Sequence, residues 1–284
     1  MNHLTFLDNS DETGVETAQA INNIPPMSLL GDVAGLEELG VGERVGLFFK
    51  EFNTHIDRRM VALNKSVHVV DLESLKRVVK DKNILFVKNV GVEIVTPEGY
   101  TIGFGNMMMH TQAVIGGIYI IGSLKTEASR LYDWLKEIVV KGRIDRSFQW
   151  SISDLDNSVK GAEGYLGMLK DNGRQVTFPL GKVYMNFDEM YGVINAFNNA
   201  AGTVGSRDIE MIVKEMDNVY EMGQLMMKKI KANDITLDKQ GLEDIEFTLN
   251  RFLRLTNITG AMSVLFNELS SVLREQAVRV RTLD

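Results

Sequence analysis

The last quarter of the chain constrains the fold most, because its apolar residues recur at helical spacing over three consecutive runs. Steps of three and four residues place each set on one face of a helix. The runs are Ile209, Ile212, Val213, Met216, Val219, Met226 and Ile230; Leu242, Ile245, Leu249, Phe252 and Leu253; and Met262, Leu265, Leu269, Val272, Leu273 and Val280. Such faces need partners, which are either each other or another chain.

The composition is that of a globular chain with a packed core. Of the 284 residues, 44% are hydrophobic and 24% are charged, and this length suits one large domain or two ordinary ones. The chain has no cysteine, which excludes disulfides, thiolate metal sites and a cysteine nucleophile.

The net charge of −7 is concentrated near the N-terminus. Residues 1–50 contain eight acidic residues against Arg44 and Lys50, so the rest of the chain is close to neutral. Contact with nucleic-acid phosphates needs clustered Lys and Arg, so we expect no nucleic-acid partner. The weakest alternative, a nucleic-acid-binding module, would depend on one basic set. That set is Arg58, Arg59, Lys65, Lys76 and Arg77.

No targeting segment is recognised. Residues 1–20 lack the basic n-region and the apolar h-region of a signal peptide. The longest apolar stretch, Ala113 to Leu124, is shorter than the roughly 20 residues of a spanning helix. We therefore expect a soluble protein that has no membrane span and is not secreted by a signal peptide.

Three segments are predicted along the chain. Residues 1–26 form an acidic N-terminal arm, because Pro25-Pro26 forbids a continuing helix. Residues 27–205 form a mixed α/β domain, and residues 206–284 form a C-terminal helical bundle. The boundary lies near Gly202–Ser206, where glycines interrupt the helical pattern and Ser206 is a suitable N-cap.

A β-hairpin near residues 84–104 is the strongest β signal. Apolar residues alternate on both sides of Thr96-Pro97-Glu98-Gly99, which is a turn sequence. A third strand, at Ala113–Ile121, or a covering helix is expected, because a lone hairpin is marginal in water. The loop-rich stretch after residue 143 contains a further candidate strand pair, Phe148–Ile152 and Gln175–Leu180.

Helical periodicity also predicts four helices before the boundary. They are Gly46–Asn64, Leu72–Lys80, Lys125–Lys141 and Asp188–Ala201. Together with the C-terminal runs, they predict an α+β protein that is predominantly α. Its small antiparallel sheet lies in the N-terminal half and its helical bundle at the C-terminus.

No catalytic, cofactor-binding or metal-binding motif is recognised. The four histidines lack the i, i+4 spacing of a helical zinc site. His55 and Asp57 would point about 200° apart on a helix and so form no local dyad. We therefore expect no cofactor, no metal and no enzymatic activity. The alternative is an enzyme whose active site is assembled from distant residues, around His55/His110 and Asp154/Asp156.

Two groups of apolar residues are candidates for contact with other chains. Three consecutive methionines, Met107 to Met109, cannot all face one core. Phe266 lies off the main stripe of its helix, and a second apolar face often indicates a second partner. The full set of interaction candidates is Met107, Met108, Met109, Phe252, Leu253 and Phe266. The alternative is that both helix faces are buried inside one domain.

The acidic arm, the small hairpin module from Ile84 to Phe104, the long methionine-containing helices and the absence of cysteine resemble structural proteins of large tailed bacteriophages. Internal head, core and baseplate components have this character. The resemblance implies a non-enzymatic virion or assembly role, in the virion or the host cytoplasm. The implied partners are the protein itself or other structural proteins of an assembly. Apart from the resemblance, Arg274, Arg279 and Arg281 lie at a helix end, where positive charge suits the helix dipole. Because acidic residues are concentrated near the N-terminus, the alternative is that these arginines pair with the acidic arm of a neighbouring copy.

Overall fold

A computed structural model describes residues 41–63, 82–97, 100, 107–144, 153–169, 177–203 and 206–283. The helices are α1 Val41–Leu63, α2 Lys82–Lys88, α3 Met107–Lys141, α4 Ser153–Leu169, α5 Leu180–Val183, α6 Phe187–Thr203, α7 Ser206–Lys231 and α8 Lys239–Arg281. The strands are β1 Glu93–Val95 and β2 Thr177–Pro179. The predicted fold class, predominantly α with a small antiparallel sheet, is confirmed.

Helix α8 is the axis of the fold. It begins after Asp238, whose Oδ1 accepts a hydrogen bond from Gly241 N at 2.7 Å, the usual role of an N-cap aspartate. Every residue from Leu255 to Phe266 is buried, because α1, α3, α4 and β1 all pack against this helix. A helix surrounded in this way needs apolar side chains on more than one face.

The central position of α8 corrects the expectation that its second apolar face is exposed. Phe266 stacks on Phe197 of α6 with ring centroids 4.5 Å apart, and Phe252 lies 6.3 Å from Phe52 of α1. Leu253 is buried as well. Both faces are therefore buried inside the chain, which was the alternative that the sequence left open.

The strand predicted at Ala113–Ile121 is wrong, because this segment lies inside the 35-residue helix α3. The predicted helix Lys125–Lys141 is confirmed as the second half of α3. Gly142 ends it with φ 65°, and Gly142 N donates to Ile138 O at 2.9 Å, as in a C-terminal glycine cap. The β-branched run favoured a strand, but continuous burial along one helical face outweighs that propensity.

The sheet pairs segments that are distant in the sequence. β1 and β2 are antiparallel, with Ile94 opposite Phe178, so the candidate strand Gln175–Leu180 contains a strand, and its partner is β1. Residues 101–104 of the predicted hairpin lie outside the described residues. The first hairpin strand is also shorter than predicted, because Lys82–Lys88 is helical. Beyond β1, Tyr100 N donates to Pro97 O at 3.0 Å, while Glu98 and Gly99 of the predicted turn lie outside the described residues.

Helices α1, α6 and α7 lie where the periodicity placed them. The break between α6 and α7 coincides with the predicted boundary at 202–206, but packing crosses it. Helix α7 packs on α1 and α3, and buried side chains from Val45 to Val280 form one continuous core. The predicted arm, the predicted helix Leu72–Lys80 and the candidate strand Phe148–Ile152 lie outside the described residues.

Helix α3 is, within the described ranges, the one helix whose length and composition would allow it to cross a membrane. Its most apolar 18-residue window is 50% buried inside the chain. Burial of this kind is also typical of a core helix in a globular bundle, so length and composition alone do not assign α3 to a bilayer.

Candidate functional site

A buried polar cluster lies where the start of α3 meets α4. His110 of α3 and Tyr165 of α4 are each 2% exposed. The Tyr165 hydroxyl lies 3.0 Å from Nδ1 and 3.2 Å from Nε2 of His110. Tyr100 packs edge-on against the imidazole, with centroids 5.9 Å apart. The two buried side chains are therefore hydrogen-bonded to each other, as is usual for buried polar groups.

A second buried contact ties α8 to the sheet. The Tyr184 hydroxyl donates to Gln276 Oε1 at 2.6 Å, and Gln276 Nε2 donates to the Val95 carbonyl at 2.5 Å. Gln276 is completely buried and Tyr184 is 2% exposed. One amide therefore joins β1, α8 and the segment after α5, since it uses both its donor and its acceptor.

Burial keeps the side chains of both contacts neutral at physiological pH. It lowers the pKa of His110 to about 4 and raises the pKa of Tyr165, with a smaller contribution from Glu268. Burial also raises the pKa of Tyr184 and of Tyr100, with Glu189 adding to both. A general base needs a pKa near the working pH and access to substrate. These buried side chains have neither property. Their hydrogen bonds instead suit a structural role, in which they hold the packed elements in one arrangement.

Two ion pairs link α4 to α8. Arg251 Nη2 donates to both carboxylate oxygens of Asp156, at 2.8 and 2.9 Å. Arg254 donates to Glu163 from Nε at 2.6 Å and from Nη2 at 2.5 Å. Exposed pairs of this kind contribute only about 0–1 kcal/mol each to the free energy of unfolding. Their main effect is therefore on how α4 is aligned along α8.

Glu127 of α3 is the buried member of the charged region, at 4% exposure. Its Oε1 accepts from Arg130 Nη1 at 3.2 Å, while its Oε2 has no hydrogen-bond partner among the described residues. Burial raises the pKa of Glu127, and the nearby charges of Arg130 and Arg251 oppose that rise.

Within the alternative active site, His110 lies apart from both Asp156 and His55. Asp156 pairs with Arg251, whereas His110 contacts Tyr165. Asp156 and Tyr165 are nine residues apart on α4, about 13 Å along the helix axis, so Asp156 lies away from His110. His55 is half-buried one turn beyond Phe52. Asp154 lies in the first turn of α4.

The two histidines lie at different levels of the bundle. Phe52, near His55, contacts Phe252 of α8, while the charge of Glu268 of α8 acts on Tyr165, the partner of His110. Phe252 and Glu268 are sixteen residues apart, which is about 24 Å along α8. A shared catalytic site for His55 and His110 therefore has no support in this geometry.

The methionine triplet divides between core and surface, as its consecutive positions require. Met107 is fully buried, Met108 packs partly against the core, and Met109 is 57% exposed. The basic residues of the nucleic-acid alternative fall differently. Arg58 and Arg59 lie in the second half of α1, and Lys65, Lys76 and Arg77 lie outside the described residues.

An exposed apolar patch borders the junction of α2 with the start of α6. Phe86 packs edge-on against Phe187 with centroids 5.2 Å apart, and Gly181 N donates to Val90 O at 2.9 Å. Four apolar side chains in the segments that meet at this junction are exposed. We call them the seam patch; its members are Ile84, Val87, Val90 and Met185, which are 57%, 69%, 43% and 77% exposed.

An open groove of about 560 Å³ runs between α1 and α7. It is lined by Glu43, Gly46, Leu47, Lys50, Gln224, Met227 and Lys231. We call it the α1/α7 groove. Its lining includes two lysines and one carboxylate above a partly apolar floor.

Sequence reasoning missed Tyr165, Tyr184 and Gln276. A usable signal existed for Gln276, which stands between Leu273 and Val280 on the last apolar stripe of α8. A glutamine at a buried stripe position needs partners for both its donor and its acceptor. The identity of those partners is not readable, because Tyr184 and Val95 are far from Gln276 in the sequence.

Within the described ranges, no three His, Cys, Asp or Glu side chains are grouped so that they could hold a metal ion. Comparisons with protein-family models, with curated proteins and with solved structures found no match to this chain.

Proposed function

We propose that the protein is a non-enzymatic structural or assembly protein that acts through surface contacts in an oligomer or a larger particle. The observation that carries the proposal is the seam patch. Val87 and Met185 are 69% and 77% exposed, although the chain has a large continuous core in which such side chains could be buried.

Clustered exposed apolar side chains, unlike isolated ones, are typical of contact sites between proteins. The proposed partner is a second copy of the chain. An apolar patch is complementary to itself, and symmetric pairing is the commonest form of association. The sealed, neutral state of the His110–Tyr165 cluster supports the same proposal, since it leaves that cluster no role in acid–base chemistry.

We extend the proposal to a virion component of a tailed bacteriophage. Its support is the sequence resemblance in arm, composition and long methionine-containing helices, together with the helical-bundle fold. Its partners would be further copies or other structural proteins of the particle.

The test is the mass of the full chain in solution, measured by light scattering on a sizing column at two concentrations. We expect a defined oligomer, or a mass that grows with concentration. Val87→Asp should reduce the association, because a charge in an apolar contact loses its hydration. Val140→Asp is the matched control, since Val140 is also a helical valine at 75% exposure and lies outside the seam patch.

A compact monomer of 31.8 kDa at both concentrations would contradict self-assembly. Equal effects of Val87→Asp and Val140→Asp would show that the seam patch is not the contact.

A further inference from the structure

The α1/α7 groove has a defined basic lining. A Cβ added at Gly46 would lie 3.4 Å from Met227 Sδ, 3.5 Å from Lys231 Cε and 3.7 Å from Lys231 Nζ. The Lys231 side chain therefore lies across α1 at Gly46, a position that a larger residue would partly fill. Lys50 stands one helical turn further along α1 on the same face.

The two ammonium groups border an apolar surface. Leu47 is 46% exposed, and Met227 lines the groove between the helices. Glu43 is the one carboxylate among the lining residues. The groove thus fits a segment that carries carboxylates spaced about one helical turn apart together with some apolar side chains.

The N-terminal segment of this chain has that chemistry. Residues 1–40 contain seven acidic residues and no Lys or Arg, so they carry the entire net charge of −7. The remainder of the chain is balanced. Within residues 1–26 the acids Asp8, Glu12 and Glu16 recur at steps of four, and Leu4, Leu7 and Val15 supply apolar side chains.

We propose that the α1/α7 groove of one copy binds the acidic segment 1–26 of a second copy. The inference rests on the proposed function, which requires contacts between copies, and it names the segment that makes one of them. The contact is electrostatic in part, because Lys50 and Lys231 face carboxylates across a surface that salt can reach.

The arginines at the end of α8 are the competing basic site for the same segment. Arg274 and Arg279 are exposed. Arg274 lies twenty-two residues beyond Phe252 on α8, or about 33 Å along the helix axis, so the two sites can be tested separately. The groove is favoured because it combines a concave apolar surface with its lysines.

The experiment uses charge reversal in the full chain, with self-association measured by sedimentation velocity. The groove variant is Lys50→Glu with Lys231→Glu. The matched control is Lys214→Glu with Lys228→Glu, which makes the same charge change at exposed positions of α7 that do not line the groove. We expect the groove variant to associate about tenfold more weakly or worse, and the control to stay within about twofold of the unmodified chain.

The segment variant, Glu12→Lys with Glu16→Lys, should also associate weakly alone. An equimolar mixture of the groove and segment variants should recover association, because the reversed charges are complementary only between different copies. Raising the ionic strength should weaken association of the unmodified chain and leave the groove variant less affected. Circular dichroism confirms that each variant keeps the helical fold.

Five results would overturn the inference. The groove variant could associate like the unmodified chain. The mixture could fail to recover association while a single chain carrying all four changes recovers it, which would place the segment in its own groove. Arg274→Glu with Arg279→Glu could abolish association while the groove variant does not. An unmodified chain that stays monomeric would overturn both proposals, whereas association lost only on Val87→Asp would overturn this one alone.

Discussion

Gly117 of α3 packs directly on Met262 of α8. A Cβ at Gly117 would overlap the Cβ, Cγ and Cε atoms of that methionine, so the two helices approach each other as closely as their backbones and one side chain allow. Met262 is fully buried at the middle of α8. The contact therefore sets the distance between the two longest helices of the fold.

Gly117→Ala should destabilise the protein by about 1–3 kcal/mol, because an added methyl group in a packed contact forces neighbouring atoms to move. The measurement is the free energy of unfolding in urea. Gly116→Ala is the control on the adjacent residue, whose Cβ would meet nothing within 4 Å. It should leave stability unchanged or raise it by up to about 1 kcal/mol. A similar loss for both variants would contradict the Gly117–Met262 contact.

Three exposed glycines weaken helix α4. Gly161, Gly164 and Gly167 face open space, so alanine at each position should stabilise the helix by up to about 1 kcal/mol. Thermal and urea unfolding of the single variants checks this. Gly142→Ala should act in the opposite direction, because Gly142 has φ 65° and its added Cβ would lie 3.2 Å from Asp234 O. Destabilisation by the α4 alanines would show that this face is packed.

The stability of the protein should depend on pH through His110. Its pKa is lowered to about 4 in the folded chain and is about 6.5 when unfolded, so the unfolded chain binds a proton first as the pH falls. The contribution is fully present above pH 6.5. It is lost progressively down to pH 4, by up to about 3 kcal/mol.

Urea unfolding at several pH values between 7 and 4 tests this dependence, with His110→Gln as the variant. Glutamine has no titration in this range, so the variant should lose stability less steeply as the pH falls. Identical pH slopes for the two proteins would rule out a role for His110.

Tyr184→Phe should destabilise the chain by about 1–3 kcal/mol, because it removes the hydroxyl that donates to buried Gln276. Gln276→Leu should have an effect of similar size, since it also leaves the Val95 carbonyl without that donor. The double variant should lose less than the sum of the two, as expected for residues in one network. Tyr119→Phe is the control, since Tyr119 is 56% exposed and its change should stay within about 0.5 kcal/mol.

The sequence predicted elements best where burial follows one period. The stripes of α1, α6, α7 and α8 are readable because each buries apolar residues at steps of three and four. The strand prediction for Ala113–Ile121 is wrong because the β-branched residues of this segment favour a strand. Its helical apolar face is evident only in the longer sequence that continues to Lys141. The β1–β2 pairing was missed because Ile94 and Phe178 are distant in sequence, and local turn chemistry favours a hairpin.

The candidate site was predicted less well than the fold. Phe266 was singled out correctly as lying off its stripe, but the sequence cannot distinguish an intermolecular partner from Phe197 of the same chain. Tyr165 and His110 come together only because α3 and α4 pack side by side. Pairings that depend on such tertiary contacts carry no local signal.

The enclosure of α8 has a consequence for how the chain acquires its structure during synthesis. Of the described elements, α8 leaves the ribosome last, yet it supplies the surface on which α1, α3, α4 and β1 pack. Until its middle residues emerge, the inner faces of those elements have no counterpart to cover them. Nascent chains that stop short of α8 should therefore need protection from chaperones, and cooperative folding should begin only after this helix is released.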